Sequence, residues 1–383
     1  MTPFDFQLRT RIVFGAGSLN RLGELAVGLG ARRALLVTDR GLIGAGHVDR
    51  AVKSLGDQGV SVTVFAETGE NPTTEHVAAG VSVARQVSPE LLVGLGGGSS
   101  LDCAKGINFI YTNGGEMKDY WGVGKATQPM LPMIAVPTTG GTGSELQSFA
   151  LISDAQTHMK MACGDRKASC AVALLDPELT LTQPRRVTAV TGIDAISHAV
   201  ETYVTRKRNP VSLHYSREAW RLLSRSYARV LEAPDDLEAR AAMQLGAAFA
   251  GLAIENSMLG AAHSLANPVT ASRGTIHGQA VGIALPHVVR FNGAVHNEWY
   301  VELLASSQLD GLTPPPESGA EGVAEFLGRM LRVAGLATSY RECGVGAEEL
   351  PELARQAAAQ WTAQFNPREV QASDLERLYE QAL

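Results

Sequence analysis

The sequence predicts a chain in two parts: an N-terminal α/β domain with a mostly parallel sheet over residues 1–184, and an all-α domain over 185–383. Two observations decide this. Up to Leu175, short apolar runs of strand length alternate with helical patterns, the arrangement of a doubly wound parallel sheet. From about Pro184 the strand-like runs disappear and only helical patterns remain. A length of 383 residues accommodates two domains of ordinary size.

The alternation opens at Arg9–Phe14 and is closed by Gly15-Ala16-Gly17-Ser18, where Ser18 is placed to cap a helix reaching Leu29. Ala34–Thr38 is a continuous apolar strand, as burial on both sheet faces demands. A helix at His47–Gly56, a strand at Ser61–Phe65, a helix at Thr74–Gln86 and a strand at Leu91–Leu95 follow. Met133–Val136 and Ala171–Leu175 add two more strands. The second part reads as helices at Ala189–Thr205, Pro210–Leu231, Leu237–Asn267, His277–Phe291, Ala320–Ala334 and Leu350–Gln360. Gln183-Pro184-Arg185-Arg186 is the boundary, and a proline-rich loop from Leu312 to Gly319 breaks the helices once.

Bulk composition excludes several classes. Charged residues are 19% and hydrophobic ones 45%, a balance suited to a large buried core. A net charge of −6 gives no basic face for nucleic acid. No apolar run reaches bilayer-spanning length, and the N-terminus lacks the pattern of a signal peptide. Four cysteines without Cys-x-x-Cys spacing read as buried hydrophobes rather than a disulfide framework. A cytoplasmic protein is expected.

Two loops leave strand ends in the first part. Gly94-Leu95-Gly96-Gly97-Gly98-Ser99-Ser100-Leu101-Asp102 puts three consecutive glycines between a strand and a helix. Glycine lets the backbone approach a phosphate, and the helix N-terminus adds free N–H groups and a positive dipole end. A tight turn alone would need only the glycines; Ser99, Ser100 and Asp102 add polar groups beyond that need. The spacing is not Gly-x-Gly-x-x-Gly. The second loop, Val136-Pro137-Thr138-Thr139-Gly140-Gly141-Thr142-Gly143-Ser144-Glu145, offers glycines and the hydroxyls of Thr138, Thr139 and Thr142.

Ligands of α/β sheets bind at strand ends, so two such loops point to a dinucleotide. Gly97, Gly98, Ser99 and Asp102 are assigned to its diphosphate, and Thr138, Thr139 and Thr142 to the remainder. Asp39 ends the second strand, where a carboxylate accepts from an adenosine ribose and repels a 2′-phosphate, favouring NAD over NADP. The alternative is that Asp39 only starts the Asp-Arg-Gly turn.

The second part carries the other chemistry. In Gly192-Ile-Asp-Ala-Ile-Ser-His-Ala-Val-Glu-Thr-Tyr203, Asp194 and His198 share one helix face. Their neighbours are apolar, so both would be costly to bury without a partner. His263 and His277 lie in similarly apolar company downstream. One carboxylate and three imidazoles form the ligand set of a divalent transition metal. A self-satisfied Asp/His core pair is the alternative for the first two residues alone. Glu201, on the face of Asp194, reads either as a hydrogen-bond partner of a ligand or, the favoured reading, as an ordinary surface glutamate. With glycine loops in one domain and ligands in the other, the chemistry is expected in the cleft between them.

These residues resemble the iron-dependent (group III) alcohol dehydrogenases over nearly the whole chain. The matching segments are Gly-Gly-Gly-Ser-Ser-Leu-Asp at 96–102, Pro-Thr-Thr-Gly-Gly-Thr-Gly-Ser-Glu at 137–145, and Leu175-Asp176-Pro177-Glu178. Gly192-Ile-Asp-Ala195 with His198 follows, then His263 to His277 leading into Leu285-Pro286-His287. The resemblance implies the dehydroquinate synthase-like fold, an N-terminal dinucleotide domain and a helical C-terminal one. It further implies one ferrous ion on Asp194, His198, His263 and His277, with zinc as the alternative ion, and at least a homodimer. One departure stands out: many members carry a histidine four residues after the third ligand, thought to help relay the proton. Here that position is Asn267, which does not titrate near neutral pH.

The expected activity is metal-dependent, reversible hydride transfer between a small alcohol or diol and NAD. The rivals are a metal-independent enzyme like the maleylacetate reductases, a metal hydrolase using the Asp/His site, and a non-catalytic sensor. Phe149, Ile254 and Met258 are the guesses for the substrate pocket.

Overall fold

The computed structural model describes residues 3–157, 159–307 and 315–383. The start of the proline-rich break, from Leu312, lies outside the described residues. The chain divides into two units. One holds Gln7–Thr139 and Gly143–Gln183. The other holds Pro184–Leu383, with Gly140–Thr142 and the N-terminal residues up to Phe6.

The first unit runs β1 (Arg11–Phe14), α1 (Leu22–Gly28), β2 (Arg33–Val37), α2 (Arg40–Gly44), α3 (His47–Gly56), β3 (Ser61–Phe65), α4 (Thr74–Val87), β4 (Leu91–Gly96) and α5 (Gly98–Asn113). Then come β5 (Gly122–Val123), β6 (Met133–Pro137), β7 (Phe149–Ser153), β8 (Lys160–Gly164) and β9 (Val172–Leu175). Six strands form one sheet in the order β1-β9-β6-β4-β2-β3, every neighbouring pair parallel. Strand alternation sends Leu35, Val37, Leu92 and Ala135 into a core with α4 and α5. Ala34, Leu36, Val93 and Val136 enter a second core with α1 and α3. Both faces are therefore covered, which explains the continuous apolar strands. A second sheet, β5-β8-β7, was not foreseen in the sequence.

Ser18 departs from its expected role. It opens a short 3-10 turn, and its Oγ donates to the Leu175 carbonyl at 3.2 Å. The cap comes from afar instead: Asp176 accepts from the N–H groups of Gly17 at 3.1 Å and Leu19 at 3.0 Å. A carboxylate at the end of β9 thus ties the start of the first helical segment to the sheet.

The second unit is helical: α6 (Arg185–Val204), α7 (Pro210–Glu232), α8 (Leu237–Glu255), α9 (Ala261–Arg273), α10 (His277–Ser307), α11 (Gly319–Ala334), α12 (Leu350–Ala358) and α13 (Ala372–Ala382). One large core joins them, with Trp220, Tyr203, Tyr227 and Phe326 among its biggest side chains. The helix expected over Leu237–Asn267 is two helices: α8 stops at Glu255, and a non-helical stretch from Asn256 (φ −103°, ψ 2°) to Gly260 (φ −135°, ψ −143°) separates it from α9. The helix expected to end at Phe291 runs to Ser307, through Pro286, and breaks at His296 (φ −127°, ψ 40°). Among the described residues no helix is long and apolar enough to cross a membrane.

Candidate metal centre

The site grows from α6. From Thr188 to Val204 nearly every residue of this helix is buried, so it is a core helix with no solvent face. Asp194 and His198 are 6% and 5% exposed. His263 is the third residue of α9 and 4% exposed, and His277 is the first residue of α10. Two glycines permit this crowding. A Cβ on Gly192 would stand 2.6 Å from the Tyr227 ring, and one on Gly278 would stand 2.0 Å from the Val190 carbonyl oxygen. Glycine at 278 lets the first turn of α10 cross α6 at the level of Asp194.

Asp194 Oδ1 is the common centre. His198 Nε2 lies 3.6 Å from it, His263 Nε2 3.7 Å and His277 Nε2 4.0 Å. With metal–ligand bonds of about 2.0–2.2 Å, tetrahedral neighbours stand about 3.4 Å apart, so these atoms are spaced to surround one ion. Asp194, His263 and His277 offer ligand atoms that all fall within 4.8 Å of one another. His198 joins them through Asp194 Oδ1, its ring stacked on that of His263 with centroids 5.0 Å apart. The fit has a further mark: Asp194 Oδ1 and His263 Nε2 are buried without any hydrogen-bond partner. Buried polar atoms are nearly always paired, so two unpaired atoms aimed at one point call for a cation. The His277 side chain, 25% exposed, lies on the solvent side of the cluster.

The electrostatics agree. Burial works against charge on Asp194, yet the imidazoles of His198, His263 and His277 hold its carboxyl well below the usual carboxylate range. Burial pushes the His198 imidazole down, with Asp194 opposing. Burial also disfavours charge on His263, but Glu201 and Asp194 outweigh it and lift that ring to about 9.

Glu201 corrects the sequence reading. It is 4% exposed, not a surface residue, and its Oε2 lies 2.5 Å from His263 Nδ1. The signal was present in its neighbours Val200, Tyr203 and Val204, which leave α6 no solvent face. Asn267, one turn beyond His263, donates through Nδ2 to Gln360 Oε1 at 3.1 Å. Of the pocket guesses, Phe149 packs its ring on Gly164, while Ile254 and Met258 are buried at the end of α8 and just after it.

In the α/β unit, β4 runs into Gly96 at φ +150°, where a Cβ would collide with Ser100. Gly97 is the N-cap of α5, so the N–H groups of Gly98 and Ser99 find no acceptor within the helix. Asp39 caps α2: its Oδ1 accepts from Gly41 at 2.9 Å and Leu42 at 3.2 Å, and its Oδ2 stands 3.5 Å from Ser100 Oγ. Asp102 is buried and accepts from Ser144 Oγ at 2.6 Å. Beneath it, the fully buried Lys105 donates to Ser144 O and Oγ, Gln147 O and Phe149 O at 2.6–2.9 Å. These bonds fasten the segment after the second glycine loop to α5. Thr138 is buried at the end of β6, its N–H donating to Gly96 O at 3.0 Å. Gly140 and Gly141 serve packing: their Cβ positions abut the Met243 backbone and Thr191.

Comparison with known proteins agrees with this geometry. Residues 9–177 match the family model of iron-containing alcohol dehydrogenase, and residues 188–383 match that of the Fe-containing alcohol dehydrogenase family, C-terminal. The chain is 34% identical over 381 residues to the NAD-dependent methanol dehydrogenase of Bacillus methanolicus, covering 99% of this chain and 100% of that protein. It is 32% identical to the 1,3-propanediol dehydrogenase of Citrobacter freundii over 383 residues, covering 99% and 98%. The crystal structure of a 1,3-propanediol oxidoreductase superposes with a TM-score of 0.95 at 31% identity, covering 100% of both chains. The chain belongs to the iron-containing alcohol dehydrogenase family. It is an oxidoreductase acting on alcohols.

Proposed function

We propose that the chain catalyses reversible hydride transfer between a small alcohol or diol and NAD, using a divalent ion held by Asp194, His198, His263 and His277. The observation that carries the metal is the convergence of Asp194 Oδ1 and His263 Nε2, both buried and unpaired, with His198 and His277 beside them. When bound, the ion supplies Lewis acidity toward a substrate oxygen, and the family points to iron, with zinc as the alternative. Bound in the α/β unit, NAD would supply the hydride acceptor for oxidation and, reduced, the donor for the reverse reaction. The Bacillus methanolicus relative is an NAD-dependent methanol dehydrogenase, and relatives that act on methanol, 1,3-propanediol and lactaldehyde support a small alcohol or diol as the substrate class.

The protein's own groups divide the work. The α/β domain, residues 1–184, holds the cofactor, and residues 185–383 hold the ion and substrate. The N–H groups of Gly98 and Ser99, opened by the Gly97 N-cap, bind the diphosphate. Thr138, Thr139 and Thr142 line the remainder of the cofactor. Asp39 offers the adenosine ribose its Oδ2, which accepts only a long hydrogen bond from Ser100 Oγ at 3.5 Å, since Oδ1 is occupied by its own turn. Asp102, buried on Ser144, shapes the diphosphate loop from beneath. Asn267 neither takes nor gives a proton near neutral pH, so the proton leaves by water, ribose hydroxyls or another histidine. Four free cysteines fit a reducing cytoplasm, and a homodimer or larger homo-oligomer is the family's usual assembly.

His263→Ala tests the reading. Bound metal and alcohol-dependent NADH formation should disappear together, and unchanged metal content would refute the ligand assignment. Activity that survives chelation would favour the metal-independent rival, and failure to bind NAD would favour the hydrolase.

A further inference from the structure

Glu201 is a buried carboxylate that neither the ligand set nor the cofactor loops employ. It sits on α6, seven residues past Asp194 and three past His198, and is 4% exposed. Both of its oxygens are engaged on α9. Oε2 lies 2.5 Å from His263 Nδ1, and Oε1 accepts the Ala262 N–H at 2.8 Å. The beginning of α9 has no cap of its own, because its N-cap is Gly260. Its first N–H groups are taken by side chains from far along the chain: Ala261 by Asn366 Oδ1 at 3.2 Å, and Ala262 by Glu201. Gly260 makes room for both, since a Cβ there would stand 3.0 Å from Asn366 Oδ1 and 3.1 Å from Glu201 Oε1.

An imidazole that binds a metal through one nitrogen carries its hydrogen on the other. A carboxylate at Nδ1 fixes which nitrogen is which. In the neutral His263 ring, the form that binds an ion, it leaves the lone pair on Nε2, the buried, unpaired atom 3.7 Å from Asp194 Oδ1. Capping the helix would occupy only one carboxylate oxygen. The second oxygen, on the ring, is what a ligand-orienting residue requires.

Resting on the metal reading above, we infer that Glu201 is the positioning residue of the metal centre. One oxygen locks the His263 ring with Nε2 toward the ion, and the other locks the helix turn that carries it. A glutamine cannot do both. It has a single acceptor oxygen, so its NH2 must face either the Nδ1 hydrogen or the Ala262 N–H.

The experiment titrates metal-free protein with Co2+ alone, read by its visible absorption, and with Zn2+ in competition with a chelator. The wild type is compared with Glu201→Gln, His263→Ala and Asn366→Ala, with thermal melts of each. Glu201→Gln should bind metal about 10–100-fold more weakly, the usual loss for a ligand's hydrogen-bond partner. Asn366→Ala removes the neighbouring cap of α9 but leaves the His263 ring bonded, and should keep wild-type affinity. Wild-type affinity in Glu201→Gln overturns the inference, as does an equal loss in Asn366→Ala. A wild type that takes up no metal, or His263→Ala binding it normally, refutes the metal reading and this inference with it. Should Glu201→Gln not fold, nitrogen NMR of His263 in the zinc-loaded wild type decides. Hydrogen on Nδ1 supports the inference, and hydrogen on Nε2 overturns it.

Discussion

Gly278→Ala is the sharpest test of how the metal centre is held. The new methyl would stand 2.0 Å from the Val190 carbonyl oxygen and 3.0 Å from Asp194 Cβ. An ordinary carbon–oxygen contact is about 3.3 Å, so the first turn of α10 must retreat by about 1.3 Å, from 3.3 minus 2.0. His277 is the adjacent residue and moves with that turn. Metal–ligand distances tolerate about 0.2 Å, so the displacement exceeds what the centre can absorb without losing a ligand. Overpacking of this kind costs about 1–3 kcal/mol of stability, and a misplacement near 1 Å costs about 100-fold in rate. Metal affinity by chelator competition, turnover and thermal melting measure the three effects. Gly28→Ala is the control, because its methyl meets nothing within 4 Å. Wild-type metal affinity and melting in Gly278→Ala would show that α10 does not need its close crossing of α6.

Glu145 gives a pH prediction. Burial lifts its carboxyl from 4.5 to about 7, so the folded state holds the proton more tightly than the unfolded one. The resulting stability is full below pH 4.5 and is lost as pH rises through about 7; the displacement corresponds to about 3 kcal/mol. Urea unfolding of Glu145→Gln should lack this decline between pH 5 and 8, and parallel wild-type and mutant curves would refute it. Lys105→Met strips four hydrogen bonds and leaves Asp102 buried without its cation, which should cost about 3–5 kcal/mol by denaturant titration. A smaller loss from Lys105→Met than from an exposed-lysine control such as Lys53→Met would show the network is dispensable. Asn267→His should add an inflection to the pH profile of turnover, and an unchanged profile would mark the position as idle.

The parallel sheet was legible because its strands are buried on both faces and read as unbroken apolar runs, as in Leu91–Leu95. The second sheet was not, because β5 has only two residues and β8 begins with exposed Lys160, giving no strong run. The join between α8 and α9 was hidden by the apolar residues around it; Asn256, Ser257 and Gly260 mark it, but they are scattered among apolar residues and do not cluster as a loop signal. The convergence of Asp194, His198, His263 and His277 was legible, since polar groups on apolar segments need a common purpose. Their partners were harder. Glu201 and Asn366 act on α9 across 61 and 105 residues, and no local pattern records such pairing. Ser18 misled for the same reason: the cap it was expected to supply comes from Asp176, 159 residues past the Gly17 it caps.

The borrowed caps of α9 also bear on when the centre forms. Asn366 closes the helix that presents His263, and it is itself held by a reciprocal pair of hydrogen bonds with Asn292. A chain emerging from the ribosome carries Glu201 and all four proposed ligands once residue 277 is out, and the contact of Asn366 with the start of α9 is added only when residue 366 has followed. Contacts this distant in sequence close late in folding. The two holds on the start of α9 are thereby added at different moments: Glu201 seats His263 first, and Asn366 then closes the finished turn.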